Sequence, residues 1–528
     1  MRSYTKMWMP LIISLLYIFS GSPAFAQDSE TESLKDQSQV EQENTAADET
    51  ETEEMSSDDT EAEGAWGTTD ATAPGSDPFA PAGGSFGDIQ IDLGELAPVV
   101  QSPFSFNGFV REDLAYSYLK PDDSFGFVRE DAELSKMRTT LFLSMNYKLN
   151  ADWKAQVSGN FFYDDYYRQK DRDLFPEATL ETYETEAEFR DTFIEGQIVS
   201  GFGLKLGRQI IAWGQSEGSQ VVDMANPRDN RELGQTTLED MRIPVLASRI
   251  YWVQDGWQID AVAIHEFRPN KTGSEGSDFD QYILLRQAGL QMNEAGEPEN
   301  SVENTEWLAR IHKTFNGGDA SLIYADVYDD EPYLEYDAIH SRPLLRQLLV
   351  TPKFNRIKTL GVSGNIVTGS WLLKTEIAQK TGVMYMRNDI QAQLMSGNFF
   401  PESGVEKDIL QGVLGADYTG INDLTVSLEF VGRQILDFED IIMSDETTLT
   451  WSVSLMHDAV NDTVHSRFFW LHLTGDNGDV YRFTVDYDML DALQLSGGVV
   501  VYDATVEDAF VYPFRNNDRL IAGVKYSF

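Results

Sequence analysis

The sequence predicts an all-β fold, a transmembrane antiparallel up-and-down β-barrel preceded by an acidic, disordered segment. Three observations carry that expectation. Apolar and polar residues alternate along strand-length segments from Phe104 to Phe528, and long polar stretches alternate with short turns between those segments. After residue 26 no apolar run reaches eighteen residues, so no membrane-spanning helix is expected. A bilayer core offers no water to unpaired backbone groups, so a chain that crosses it as strands must close on itself.

Residues 1–26 read as a signal peptide. Arg2 and Lys6 precede an apolar stretch from Met7 to Phe19, and Ala24-Phe25-Ala26 fits a small-residue cleavage site. Residues 27–102 form the acidic segment and its linker. Within them, residues 28–64 carry fifteen Asp and Glu against the single Lys35, too polar to bury a core and therefore expected to be disordered. Residues 103–528 are the barrel. The chain has no Cys, which excludes a lipid-anchored lipoprotein and disulfides. Its 22 Tyr, 10 Trp and 30 Phe suit interfacial girdles. A net charge of −47 would repel a phosphate backbone, so nucleic acid is excluded as a partner.

The strands follow in order. In the first, Phe104, Phe106, Val110, Leu114, Tyr116 and Tyr118 share one face, and Asn107, Arg111, Asp113 and Ser117 the other. In the second, Leu141, Leu143, Met145, Tyr147 and Leu149 oppose Arg138, Thr140, Ser144, Asn146 and Lys148. In the third, Trp153, Ala155, Val157, Phe161 and Tyr163 oppose Lys154, Gln156, Ser158 and Asn160. Short turns are expected at 150–152, 201–203, 255–256, 316–319, 368–370 and 420–423. Long loops are expected near 119–133, 168–185, 214–245, 268–303, 330–355, 382–406 and 437–448.

Thirteen strands are legible through Val431. A strand at 448–457, followed by 464–473, 480–488, 492–502 and 520–528, brings the count to eighteen, with sixteen as the alternative. An even count keeps both barrel ends on one side of the membrane. The last strand resembles the terminal strand by which insertion machinery recognises bacterial outer-membrane barrels, with Tyr526 and Phe528 as the insertion signal.

Several segments resemble a family of proteobacterial outer-membrane porin-like proteins catalogued as a domain of unknown function. They are Leu204-Lys205-Leu206-Gly207-Arg208-Gln209-Ile210-Ile211-Ala212-Trp213-Gly214, Asn226-Pro227-Arg228-Asp229, and Glu266-Phe267-Arg268-Pro269 leading to Gly276-Ser277-Asp278-Phe279. Further on, Trp371 to Ala378, Leu414 to Gly420 and Leu428-Glu429-Phe430 also fit. The resemblance implies an outer-membrane substrate channel of a Gram-negative bacterium, for hydrophobic or lipid-like molecules. It also implies association with an inner-membrane exporter of the resistance-nodulation-division type and a periplasmic carrier. In shape the family is similar to the eighteen-stranded exporter of alginate.

Alternation nominates the lumen residues: Arg138, Lys154, Glu306, Arg310, Lys374, Glu376, Glu429, Arg433, Arg482 and Asp486. An Arg or Lys on the lipid face near the midplane costs about 2–4 kcal/mol, which favours the inward assignment. Inside, such charges either set solute selectivity or brace the wall as ion pairs. Alternation around Arg208 and Gln209 is too poor to assign a direction. With Trp213, Asn226, Arg228 and Asp229 they are candidates for a constriction loop, the alternative being a plain surface loop. The six His fall in no catalytic or zinc motif, so no enzyme, metal or cofactor is expected. Outer-membrane lipid and lipopolysaccharide are the expected surroundings, and a rim hydrolase or adhesin is the remaining alternative.

Overall fold

The computed structural model describes residues 102–528 apart from 123–126, 217–218, 237, 288, 342–347, 399, 474–476 and 508. The expected signal peptide and acidic segment lie outside the described residues. Eighteen strands form one closed antiparallel sheet. They are β1 Phe104–Ser117, β2 Glu133–Lys148, β3 Trp153–Asp164, β4 Thr185–Val199, β5 Phe202–Gln209 and β6 Val245–Gln254. Next come β7 Trp257–Ile264, β8 Glu306–Phe315, β9 Gly318–Tyr328, β10 Arg356–Thr368, β11 Trp371–Met386 and β12 Gly404–Ile421. The last six are β13 Leu424–Ile435, β14 Thr447–Ala459, β15 Val464–Leu473, β16 Gly478–Leu490, β17 Leu493–Asp503 and β18 Arg519–Ser527. The fold is a closed, up-and-down antiparallel β-barrel.

Alternation builds the wall. Phe104, Phe106, Val110, Leu114 and Tyr116 are exposed on the outside of β1, while Ala115 and Ser117 are buried inside. The same split holds on β11, where Trp371, Leu373 and Ile377 face out and Lys374, Glu376 and Lys380 face in. Turns at one end are tight because the sequence supplies residues that accept positive φ. Asp255 and Gly256, at φ 51° and 73°, close the β6–β7 hairpin as an Asp-Gly pair does in a type I′ turn.

The barrel closes between β1 and β18, in register from Phe109 opposite Ser527 to Ser117 opposite Arg519. Gly108 and Phe528 exchange both backbone hydrogen bonds at 2.9 Å, and the Phe528 ring stacks on Phe106 at 5.8 Å.

The loops hold structure that alternation does not announce. Short helices occupy Tyr166–Lys170, Glu177–Tyr183, Ile283–Gln287 and Ile390–Met395. The segments Leu290–Met292, Tyr333–Tyr336 and Leu348–Lys353 make a separate small sheet. The loop expected over 382–406 is shorter, because β11 continues past a bulge near Gly382 to Met386 and buries Val383, Tyr385 and Met386.

The two largest apolar clusters among the described residues sit inside the wall rather than between layers. One joins Ile211, Trp213, Val221 and Val222 of the β5–β6 loop to the inner faces of β6 through β13, including Ile323, Ala325, Val327, Ile357, Ala378 and Val413. The other spans the mouth: Phe279, Ile283 and Leu284 of the β7–β8 loop pack on Val480, Val500 and Tyr502 and on Phe510, Val511 and Phe514.

Candidate functional site in the barrel lumen

The β5–β6 loop, residues 210–244, folds into the barrel and divides its interior. Its neck is fixed by Asn226, whose side chain accepts from Ile211 N at 2.7 Å and donates to Ile243 O at 2.8 Å. An amide, with one acceptor and two donors, can bind both limbs of the loop at once. Its far side is strapped to the wall by Glu376, which is fully buried. That carboxylate accepts from the backbone N–H groups of Gln215, Ser216 (2.9 Å) and Val222 (3.3 Å). Ser216 Oγ donates to Glu429 at 3.1 Å, Lys380 Nζ donates to Gln220 O at 2.7 Å, and Gln411 donates to Ser219 Oγ at 3.2 Å. Lys374 lies between Asp417 (3.3 Å) and Glu429 (3.2 Å).

On the other side of the loop lies a cavity of about 650 Å³. Nine basic residues line it: Arg111, Lys136, Arg138, Arg190, Arg231, Arg242, Arg467, Arg482 and Lys525. Eight acidic residues balance them: Asp113, Glu186, Glu188, Asp191, Asp229, Glu232, Asp240 and Asp486. The two signs are paired rather than segregated. Arg111 bonds Asp113 at 2.7 Å and reaches Asp240 of the loop at 3.7 Å. Arg231 joins Asp229 and Glu186, the latter at 2.8 Å. Burial pushes the Glu232 carboxyl up, and Lys136 and Arg138 more than reverse this, leaving it well below the ordinary carboxylate range. Among the described residues the lining of this cavity is thus nearly charge-balanced, in a chain with a net charge of −47.

All ten residues nominated as lumen-facing stand on inner-face positions, but they do different things. Arg138, Arg482 and Asp486 line the cavity. Glu376 and Glu429 lie under the inserted loop and bond it, and Lys374 pairs with Glu429. Arg433 stands over the Tyr385 ring at 5.6 Å. Arg310 bonds Asp260 at 3.0 Å and lies over Trp213 at 5.1 Å. Glu306 is buried, and Lys154 pairs with Glu195 at 3.2 Å in a mostly exposed position.

The constriction candidates divide. Gln209, Trp213, Asn226 and Arg228 are buried within the barrel, and Asp229 lines the cavity. Arg208 does not belong with them. It shares the outer face with Ile194, Leu206 and Leu246 and bonds Glu266 at 2.7 Å, because the strand keeps its period of two up to Gln209. Buried Arg228 leaves Nε and Nη2 without a hydrogen-bond partner, and burial lowers its pKa to about 10. Tyr526 faces outward beside Phe528.

The residues missed by sequence reasoning are those that pair with one another beside β4: Glu186, Glu188, Arg268 and Lys271. A signal was available for the plugged sector. On β9 both faces are apolar over Leu322 to Ala325, which is unnecessary in a wet lumen and is required where a loop packs inside. Among the described residues, no group of three His, Cys, Asp or Glu side chains is disposed to hold a metal ion.

A family model described as a protein of unknown function (DUF1302) matches residues 129–528. No curated protein matches the chain. Among solved structures, OccAB3 of Acinetobacter baumannii is 11% identical with a TM-score of 0.48, over 80% of this chain and 99% of that one. The outer membrane protein OpdK of Pseudomonas aeruginosa is 10% identical with a TM-score of 0.43, over 80% and 98%. OmpF of Salmonella typhi, solved in complex with daunomycin, is 8% identical with a TM-score of 0.38, over 80% and 97%. The likeness is one of overall barrel build at low identity.

Proposed function

We propose that this chain, which belongs to the DUF1302 family of proteins of unknown function, is a channel in the outer membrane of a Gram-negative bacterium. It passes small polar solutes through the lumen, with the inserted loop 210–244 setting the bore. The observation that supports this most is the polar cavity of about 650 Å³ with alternating charge signs on its walls. A lumen meant only to be filled would be packed with apolar side chains throughout, as the β9 sector is. Paired charges of both signs give a field that rejects neither cation nor anion strongly.

Under this proposal the partners are membrane lipid and lipopolysaccharide around the wall, and the insertion machinery at the terminal strand. Purified protein in planar bilayers is expected to give discrete conductance steps with little preference between cation and anion. A barrel that inserts and never conducts would refute the proposal. A second reading, a conduit for amphiphilic molecules working with an inner-membrane exporter, is favoured by one feature: among the described residues, part of β4 has no strand partner beside the cavity.

A further inference from the structure

We propose that the wall contains a lateral window above β5, closed by side-chain ion pairs, through which an amphiphile with a carboxylate head passes between the lumen cavity and the outer leaflet. The inference rests on the channel reading in taking the cavity as a route, and it adds an exit and a substrate class.

The window follows from strand lengths. β4 runs from Thr185 to Val199, but its pairing with β5 covers only residues 192–199. From 185 to 191 it is bound to β3 on one edge and, among the described residues, to no strand on the other. The β5 chain turns inward at this level. Gly207 has φ 129°, where a side chain would run into the carbonyl oxygen of Thr192, and Ile210 N bonds the Asp191 side chain at 3.3 Å. An unpaired strand edge facing hydrocarbon is costly, so a barrel that keeps one must cover it.

Side chains provide the cover. Arg268 bonds Glu188 and donates to Pro244 O at 2.9 Å. Lys271 bonds Glu188 at 2.6 Å and Glu186 at 3.1 Å, and Arg231 bonds Glu186 at 2.8 Å. Ion pairs can exchange partners without breaking a sheet ladder, so this seam is the openable part of the wall. Glu186, Glu188, Asp191, Ile210 and Ile243 line the cavity from within. From outside, Phe189 is 66% exposed beside Phe161 on the lipid face. Directly above the cavity the mouth is crossed by the packed loops that carry Phe279, Ile283 and Phe514.

Charge names the head group. Glu188 is the acid shared by Arg268 and Lys271, and an incoming carboxylate offers both cations the same charge-assisted bonds. Its tail would then follow Ile210 and Ile243 toward Phe189.

The test exploits the absence of Cys from the chain. A Glu188→Cys, Lys271→Cys double variant in nanodiscs is bridged with a bis-methanethiosulfonate reagent, then labelled with a long-chain carboxylate carrying a diazirine in its tail. Adducts are mapped by mass spectrometry before and after the bridge is reduced. In unmodified protein, adducts are expected on residues 187–191, 210 and 243. The neutral alcohol analogue should label about tenfold less, the change produced by losing about 1.4 kcal/mol of head-group contact. The bridge should suppress labelling and reduction restore it on the same molecules, which separates closure from misfolding. Equal labelling with the bridge closed and open, or adducts elsewhere only, would overturn the window. Unmodified protein that conducts ions but shows no adducts also overturns it and leaves the channel standing. Adducts with the expected bridge dependence in a barrel that never conducts support the window and refute the channel.

Discussion

Replacing Glu376 with Ala is expected to release the inserted loop from the wall. The carboxylate accepts from three backbone N–H groups, of which Ser216 at 2.9 Å and Gln215 are the closer. Hydrogen bonds to a charged group contribute about 1.5–3 kcal/mol each, so the two closer ones supply about 3–6 kcal/mol of anchoring. Burying the carboxylate costs part of this, and about 2–4 kcal/mol of net anchoring remains. At about 1.4 kcal/mol per factor of ten, local opening of the strap should become about 30- to several-hundred-fold more frequent. Hydrogen exchange followed by mass spectrometry reads this directly, as faster exchange of the peptide spanning 213–222. The β11 backbone should stay protected, since its pairing with Ser363 and Val413 does not involve the Glu376 side chain. The conductance step should rise as the loop withdraws. Exchange of that peptide within about threefold of the original protein, a change of under about 0.7 kcal/mol, would show that Glu376 does not hold the loop.

Three further outcomes follow from single contacts. Gly207→Ala places a methyl group against the Thr192 carbonyl at φ 129°, so the yield of heat-modifiable, folded barrel on gels should fall steeply. Phe528→Ala removes the ring stacked on Phe106 at the closing seam, worth about 0.5–1.5 kcal/mol beyond its buried area, and should lower the unfolding temperature in detergent. Burial pushes the Glu331 carboxyl up to about 8 against the opposing hydrogen bond from Asn270. A raised value means that the stabilising protonated form is complete below the ordinary 4.5 and is lost as pH rises toward 8. Exchange within 329–336, corrected for intrinsic rates, should therefore accelerate between pH 5 and 8, and Glu331→Gln should make that profile shallower, the remainder coming from Asp329 and Asp330, whose carboxyls burial also pushes up.

The wall was legible because one physical constraint acts on every strand alike. Lipid selects Leu141, Met145 and Phe161 outside regardless of what the lumen holds, so a period of two survives and the count of eighteen follows from turns such as Asp255-Gly256. Arg208 shows where such reasoning falters: a charged residue on the outer face near a strand end breaks the pattern, and only its register beside Leu246 and its bond to Glu266 fix its direction. The lumen was less legible because the partners there are remote in sequence. Glu376 binds Gln215 from 161 positions away, and Glu188 binds Lys271 from 83. No local periodicity encodes either contact. What the sequence does carry is a change of pattern where the inner face itself turns apolar, as at Ile323, Ala325 and Val327. A strand greasy on both faces inside a barrel must be covered by chain from elsewhere, and Ile211, Trp213, Val221 and Val222 of the β5–β6 loop are among the residues that cover it. Because that cover draws the chain inward just after Gln209, it shortens β5 and leaves residues 185–191 of β4 with no second strand partner among the described residues. The plug and the window are therefore two consequences of one turn in the backbone.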